Sequence, residues 1–466
     1  MSTDRQHWAV VGGGMLGLTL ALRLADRGKR VTILEADDRL GGLADAWTLD
    51  HADGSMTWDR HYHVTLLSDA NLGGLLHELD LDASLIWGTT RTEFYTQNTF
   101  HPLNNAIDYL KFPPLRFFDK MRLAGTILYG SSIEDGRRLE EISAEDWLTQ
   151  LSGERTWAEL WQPLLRAKLG ENASRASAAF IWAIIRRLYA ARRSGLKTER
   201  FGYIDGGYDR VVRRFAEVLR AKGVTIETGA CVQSIHRSAH AITLRTNTGD
   251  RVFDRCVSTA PAAVAANIAV DLTTAEKARL SGIVYQGIVC ASVVLKKPLN
   301  GCYLTYIADA DVPFTAVIEM TALVDKQTLG GNTLVYLPRY VASSDEMFTW
   351  SDEALRAHML PAFLRMYPHL TEADVLAMRF SRVRHVLPIS TIGYTHRLPP
   401  MTTSIPELFL VNSAHILNGT LNVDETIKLA NVAMTVLVGL EDATERQAAT
   451  LPASITAPPD PDARAA

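Results

Sequence analysis

Gly12, Gly14 and Gly17 stand at the spacing G-x-G-x-x-G, and Glu35 follows 23 residues after the first of them. That set can grip a dinucleotide. Gly12 allows a tight turn, Gly14 lets the backbone approach a pyrophosphate, and Gly17 lets a helix pack closely on a strand. The Glu35 carboxylate can accept hydrogen bonds from an adenosine ribose. Arg60, His61 and His63 place a cation and two imidazoles in one short stretch, a grouping able to orient an anion or move a proton. Arg382, Arg384 and His385 form a second such group, and Arg166 and Lys168 lie amid apolar neighbours, as a channel for an anionic substrate would require. Each group also has a plain reading, as a polar loop, a solvated strand face or snorkelling cations. No metal is expected. Cys231, Cys256, Cys290 and Cys302 lie far apart, without a C-x-x-C pair or a His-Cys cluster at zinc spacing, and read as reduced and mostly buried.

The glycine pattern works only if a strand feeds it and a helix leaves it, and the chain supplies both. His7 to Val11 reads as a short buried strand, and Leu18, Leu20, Ala21, Leu22, Leu24 and Ala25 give a helix with a broad apolar face closed by Gly28. Val31 to Leu34 then forms a β-branched strand that ends at Glu35. In this context nucleotide binding outweighs a glycine turn without a ligand. Residues 106–196 read as mainly helical, and Gly202 to Gly207 interrupts them before an amphipathic helix from Tyr208 to Ala221. Val224 to Ile226, Cys231 to Ile235, Ala241 to Arg245 and Arg251 to Ser258 alternate like strands. Val289 to Leu295, Thr315 to Met320 and Thr333 to Leu337 look like strands of another sheet. Leu408 to Val411 is a further buried strand leading to a helix from about Glu425 to Leu440, and a low-complexity tail is expected from about Ala443.

The 466 residues, 47% apolar and 21% charged, suit two or three domains with a real core. A net charge of -4 excludes a dedicated nucleic-acid binder. No apolar run is long enough to span a bilayer, and no secretory leader is read at the N-terminus, so a cytoplasmic address is expected. Ile181 to Ile185 followed by Arg186, Arg187, Arg192 and Arg193 pairs an apolar helix with a basic cluster. It could dock on an anionic membrane, although a core helix with a solvated cationic end is the favoured reading.

From Glu35 to Gly42, reading E-A-D-D-R-L-G-G, the chain resembles the FAD-dependent amine oxidase superfamily, which includes protoporphyrinogen oxidases and phytoene desaturases. The likeness continues at Gly202 to Tyr208, at Gly229-Ala230-Cys231-Val232, at Asp254 to Pro261, and at Leu408 to Ser413 with Leu421 to Thr426. It implies FAD as cofactor, with contacts from Gly12, Gly14, Met15, Leu16, Gly17, Glu35, Ala36, Gly41, Gly42, Leu43, His61, Val232, Ser413, Asn422, Val423 and Thr426. A helix starting near Val423 would present unpaired N–H groups to the pyrimidine edge of the ring and favour negative charge there; Asn422 or Asp424 could instead serve merely as its N-cap. The chain departs from the family in three places. Asn412-Ser413 replaces Gly-Asp or Gly-Glu, Leu43 replaces an arginine, and Asp59-Arg60-His61-Tyr62 replaces Asp-x-Gly-Gly.

The resemblance implies an α/β fold: a Rossmann-type, glutathione-reductase-like FAD-binding domain of residues 1–90, 200–275 and 395–445. A discontinuous α+β substrate domain of residues 91–199 and 276–394 and a disordered tail of residues 446–466 complete the expectation. It also implies oxidation or desaturation by hydride transfer from a bulky, apolar or conjugated small-molecule substrate, with His63, Arg60 and His385 as candidate catalytic residues. One G-x-G-x-x-G leaves no second dinucleotide site, so electrons would pass to an external acceptor such as oxygen, a quinone or a partner protein. Two rivals share the fold: a non-redox flavin mutase resembling UDP-galactopyranose mutase, and a non-enzymatic lipid-binding escort of the Rab GDP-dissociation-inhibitor type.

Overall fold

A computed structural model describes residues 6–51, 54–104, 106–192, 200–417 and 419–450. The strand His7–Val11 is apolar on both faces because both are covered. Trp8 and Val10 join a core with the first helix, while Ala9 and Val11 join another core on the opposite side. It is the centre of a five-stranded parallel sheet in the order Leu408–Leu410, Arg255–Ser258, His7–Val11, Arg30–Leu34, Thr225–Glu227. The helices Met15–Asp26, Gly207–Ala221 and Val423–Thr450 cover one face. A three-stranded meander, Val232–Ser238, Ala241–Thr246 and Gly249–Phe253, lies over the other with the helix Ala262–Ile268. The expected strand from Arg251 to Ser258 is two strands in two sheets. Asp254 breaks it, its carboxylate accepting from His7 N–H at 2.7 Å while its own N–H donates to His7 carbonyl at 3.0 Å.

The second sheet has seven strands in the order Val375–Pro388, Tyr285–Leu295, Thr333–Ala342, Ala316–Glu319, Leu304–Ile307, Thr92–Thr96, Thr99–Pro102. It is antiparallel except where Leu304–Ile307 runs parallel to Thr92–Thr96. One face packs on the helix Asp352–Met366 through Val289, Val335 and Leu337. The other face receives the hairpin Ala46–His51 and Gly54–Asp59, whose Trp47, Leu49 and Trp58 meet Ile288, Leu334 and Tyr336. This hairpin, within the segment expected to serve the cofactor, therefore packs on the sheet that falls mostly in the segments expected to form the substrate domain. A helical layer that includes Phe117–Ser132, Gln162–Leu169 and Ala178–Arg192 shares a core with Phe94, Leu387 and Ile389.

The final helix runs on to Thr450, past the point where the tail was expected to begin. The rest of that expected tail, residues 451–466, lies outside the described residues. Among the described residues, no helix is long and apolar enough to cross a membrane, and no group of side chains is arranged to hold a metal ion. All four cysteines are free; Cys256 and Cys290 are buried, but Cys231 is exposed.

Candidate active site

The turn after the first strand is built so that only glycine fits. Gly12 takes φ 108°, and a Cβ on Gly17 would lie 1.9 Å from the Gly12 carbonyl oxygen. The first helix starts at Met15 with no side chain capping it, so the N–H groups of its first turn, at its positive end, have no side-chain acceptor. Glu35 stands at the same corner. Its Oε2 accepts from Gly13 N–H at 2.5 Å and its Oε1 from Asp37 N–H at 2.9 Å, which leaves further lone pairs on both oxygens for ribose hydroxyls. Ala36 follows it at the strand end. Gly229 and Ala230 donate to the carbonyls of Asp37 and Glu35 at 2.7 and 2.8 Å, bringing Val232 into the corner. Gly41 N–H donates to Gly13 carbonyl at 2.9 Å, and a Cβ on Gly42 would sit 3.2 Å from Gly14 Cα. The second glycine pair is thus pressed against the first loop and prolongs its backbone cradle, while Met15 and Leu16 are buried beside it.

Beyond that turn, the Leu43 carbonyl faces His61 Nδ1 at 3.4 Å, and His61 Nε2 meets Ser381 Oγ at 2.9 Å. Burial first, then His63 and Arg60, hold the His61 imidazole down to about 3, so it is a neutral ring wedged between the glycine-pair segment and the strand Val375–Pro388. His63 lies 3.5 Å from the buried Asp59 carboxylate and packs on the Tyr208 ring at 4.9 Å, with its buried Nδ1 making no hydrogen bond among the described residues. Asp59 binds three elements together. Its Oδ1 accepts from Tyr208 N–H at 2.7 Å, its carbonyl accepts from Tyr336 hydroxyl at 2.5 Å, and it ends the hairpin strand. Arg60 turns away from this centre. It is ion-paired with Asp45 and lies 5.8 Å from the Trp47 ring, clamping the hairpin base. His385 is half-buried and edge-on to Tyr285 at 5.4 Å; burial and Arg384 lower its affinity for a proton. Tyr285 hydrogen-bonds Ser413 and accepts from Ala262 N–H, so His385 and Ser413 share a neighbour. Arg382 and Arg384 leave that neighbourhood for Asp352 and the Ser343 carbonyl.

The final strand runs into Asn412, which is 1% exposed; its Oδ1 accepts from Ala414 N–H, whereas its buried Nδ2 has no partner among the described residues. Asn422 caps the last helix by accepting from Glu425 N–H at 3.0 Å, and Thr426 hydroxyl bends back to the Asn422 carbonyl at 2.7 Å. Asp424 is engaged elsewhere, accepting from Leu72 N–H and Asn71 Nδ2. The N–H groups of Val423 and Asp424 have no acceptor among the described residues. These features fit a dinucleotide flavin: an uncapped helix start beside a carboxylate, a glycine pair filling the adjacent turn, and an orphaned buried amide on the final strand.

Two groups expected near a substrate or membrane separate in three dimensions. Arg166 is exposed, whereas Lys168 is enclosed and lies 5.6 Å from the Tyr340 ring. Ile181, Trp182 and Ile185 are core residues, Arg186 lies over Trp182 and donates to the Glu134 carbonyl, and Arg187 pairs with Asp69 at 3.2 Å. Among the described side chains the helix Ala178–Arg192 therefore has no free apolar face with which to dock, and Arg193 lies outside the described residues. The cluster of Tyr62, Tyr336 and Tyr340 was missed. Its one local signal was the period-two placement of Tyr336 and Tyr340, which puts both on one face of their strand.

The sequence model described as flavin containing amine oxidoreductase matches residues 16–427. The carotenoid phi-ring synthase of Streptomyces griseus is 43% identical over 80 residues, 17% of this chain and 16% of that protein. The probable zeta-carotene desaturase of Synechococcus elongatus is 23% identical over 249 residues, 49% of this chain and 50% of that protein. The chain thus spans half or less of the length of these curated relatives. A crystal structure provisionally named protoporphyrinogen oxidase, from Exiguobacterium sp. 255-15, aligns with a TM-score of 0.74 at 19% identity, covering 95% of this chain and 100% of that one. At that identity the likeness is one of fold.

Proposed function

The chain belongs to the flavin containing amine oxidoreductase family, a family of FAD-dependent oxidoreductases, and from that premise we propose that it oxidises or desaturates a bulky, apolar or conjugated small molecule. The observation that carries this reading is the nucleotide corner, where the uncapped Gly14 helix start, the Glu35 carboxylate and the Gly41–Gly42 turn meet. When bound, FAD supplies a ring system that accepts hydride from the substrate. The chain's own residues do the rest. Glu35 and the first-turn N–H groups hold the dinucleotide, the start of the helix Val423–Thr450 favours negative charge at the ring edge, and His61 keeps its neutral ring between Leu43 and Ser381. His63, beside Asp59, is the candidate to take or give a proton at the substrate. Relatives named for carotenoid chemistry support a conjugated substrate. In this reading the protein works in the cytoplasm and passes electrons to oxygen, a quinone or a partner protein.

The first test is spectroscopic. Purified protein should show flavin absorption near about 375 and 450 nm, and an anaerobic substrate screen should find compounds that bleach it. A colourless protein that refuses added FAD removes the reading. Consumption of acceptor during turnover separates it from the mutase rival, and bound flavin separates it from the escort rival.

This reading also moves the peripheral membrane contact to the helix Phe117–Ser132. There Phe117 and Phe118 are 63% and 79% exposed, with Met121, Leu128 and Tyr129 along the same side and the exposed cations Lys111 and Arg116 beside them. The occupant is an anionic lipid surface. Pelleting with phosphatidylserine vesicles should weaken at least several-fold in Phe117→Ser/Phe118→Ser and stay unchanged in Arg186→Gln. Absence of pelleting, or pelleting indifferent to the two phenylalanines, overturns this placement.

A further inference from the structure

Alternation along the strand Thr333–Ala342 sends Tyr336 and Tyr340 to the face that meets the segment after Asp59. Tyr340 and Tyr62 join their hydroxyls at 2.8 Å, and the Lys168 ammonium lies 5.6 Å from the centre of the Tyr340 ring. Lys168 sits near the end of the helix Gln162–Leu169. It is half-buried, and the surrounding protein desolvates its ammonium. Gln286 is fully buried close by. Its Oε1 accepts from Asn172 Nδ2 at 3.2 Å, but its Nε2 has no partner among the described residues and lies 3.5 Å from where a Cβ on Gly170 would stand. The group is tied to the cofactor side by chain connectivity, since Tyr62 follows His61, which touches the glycine-pair segment through Leu43.

Charge balance is the informative feature. Among the described residues Lys168 has no acidic partner, and the charge it feels is the like-signed Arg187, itself paired with Asp69. An enclosed ammonium without a counter-charge destabilises a fold, and an orphaned buried amide adds to the cost. Burial and Arg187 push the Lys168 amine down to about 8, so it still carries charge at neutral pH. Tyr340 and Tyr62 cannot neutralise it, because burial raises both phenols, Tyr340 to about 12. A missing negative group is the simplest completion of the arrangement.

Building on the flavoenzyme reading, we propose that Lys168, with Tyr340, Tyr62 and Gln286, forms a subsite for a carboxylate carried by an otherwise apolar substrate, fixing its far end while the reacting carbon reaches the flavin. The site would select an apolar acid over its neutral ester, because only the acid supplies the counter-charge.

The test uses the full chain loaded with FAD, with biphenyl-4-carboxylate and its methyl ester as probes and the perturbation of the flavin spectrum as readout. At pH 7 the acid should bind at least about 10-fold more tightly than the ester. Lys168→Met should abolish that preference while leaving the ester's affinity in place, and Lys168→Arg should retain part of it. Tyr340→Phe, which keeps the ring and removes the hydroxyl, should weaken the acid by a smaller factor. Equal binding of acid and ester, no binding of either, or a preference that survives Lys168→Met overturns the subsite. Because the flavin spectrum is recorded in every arm, failure to hold FAD would be seen separately as failure of the cofactor reading.

Discussion

His61 and His63 are two positions apart, yet their neighbours give them different chemistry. His61 is fixed between a carbonyl and a hydroxyl and stays neutral, so His61→Gln should change KM or the flavin spectrum without moving any inflection of a kcat/KM profile between about pH 5 and 9. An inflection that disappears in the variant would contradict this. Glu35 offers both oxygens to the corner, so Glu35→Gln should weaken FAD about 10- to 100-fold in a fluorescence titration, the range for losing charge-assisted hydrogen bonds. Lys168 links a residue to global stability. Its amine titrates near 8 in the folded chain against 10.5 ordinarily, so between those values the unfolded chain binds the extra proton and stability rises with pH. Below that window the buried charge is a standing cost, with Arg187, Tyr340 and Tyr62 as its neighbours. Lys168→Met should therefore raise stability at pH 7 by on the order of 2–3 kcal/mol in denaturant unfolding and flatten the rise from pH 8 to 10.5. A destabilised Met variant would show that the ammonium has a partner.

At the scale of elements, the first helix and strand are held together by the absence of a side chain. Gly17→Ala would put a Cβ 1.9 Å from the Gly12 carbonyl, so the turn must open, and FAD binding should be lost together with several kcal/mol of stability. The hairpin Ala46–Asp59 depends on Asp59, which receives Tyr208 N–H and lies next to His63. Asp59→Ala should cost about 2–4 kcal/mol, because it leaves a buried N–H without an acceptor, and it should also free the His63 ring. The strand from Arg251 to Ser258 shows why local alternation misled. Both halves alternate, but only the pairing of Asp254 with His7 decides that one half joins the meander and the other the parallel sheet. The helix Ala178–Arg192 misled for a related reason. A basic cluster after an apolar run looks the same whether the apolar side meets lipid or meets Trp147 and Leu165, as it does here.

At the scale of the whole molecule, the proposed flavin corner draws on distant stretches of chain: the first loop, the Glu35 turn, the Val232 strand and the start of the last helix. A ligand spanning them should stabilise all together, so excess FAD should raise the unfolding midpoint, with about 2.7 kcal/mol expected at 100 times Kd. An unchanged midpoint would mean that these stretches do not share one ligand. The glycine spacing, the strand before it, the helix after it and the terminal acid lie within the first 35 residues, and local sterics and hydrophobic period are enough to define them. That is why the glycine turn with its flanking strands and helix could be read from residue types alone, whereas the second glycine pair came in through the family resemblance. The partners of Arg60, the neutral state of His61, the burial of the helix Ala178–Arg192 and the meeting of Lys168 with Tyr340 could not. Each depends on which residues more than a dozen positions apart come to share one low-dielectric space, and only the packed chain decides that.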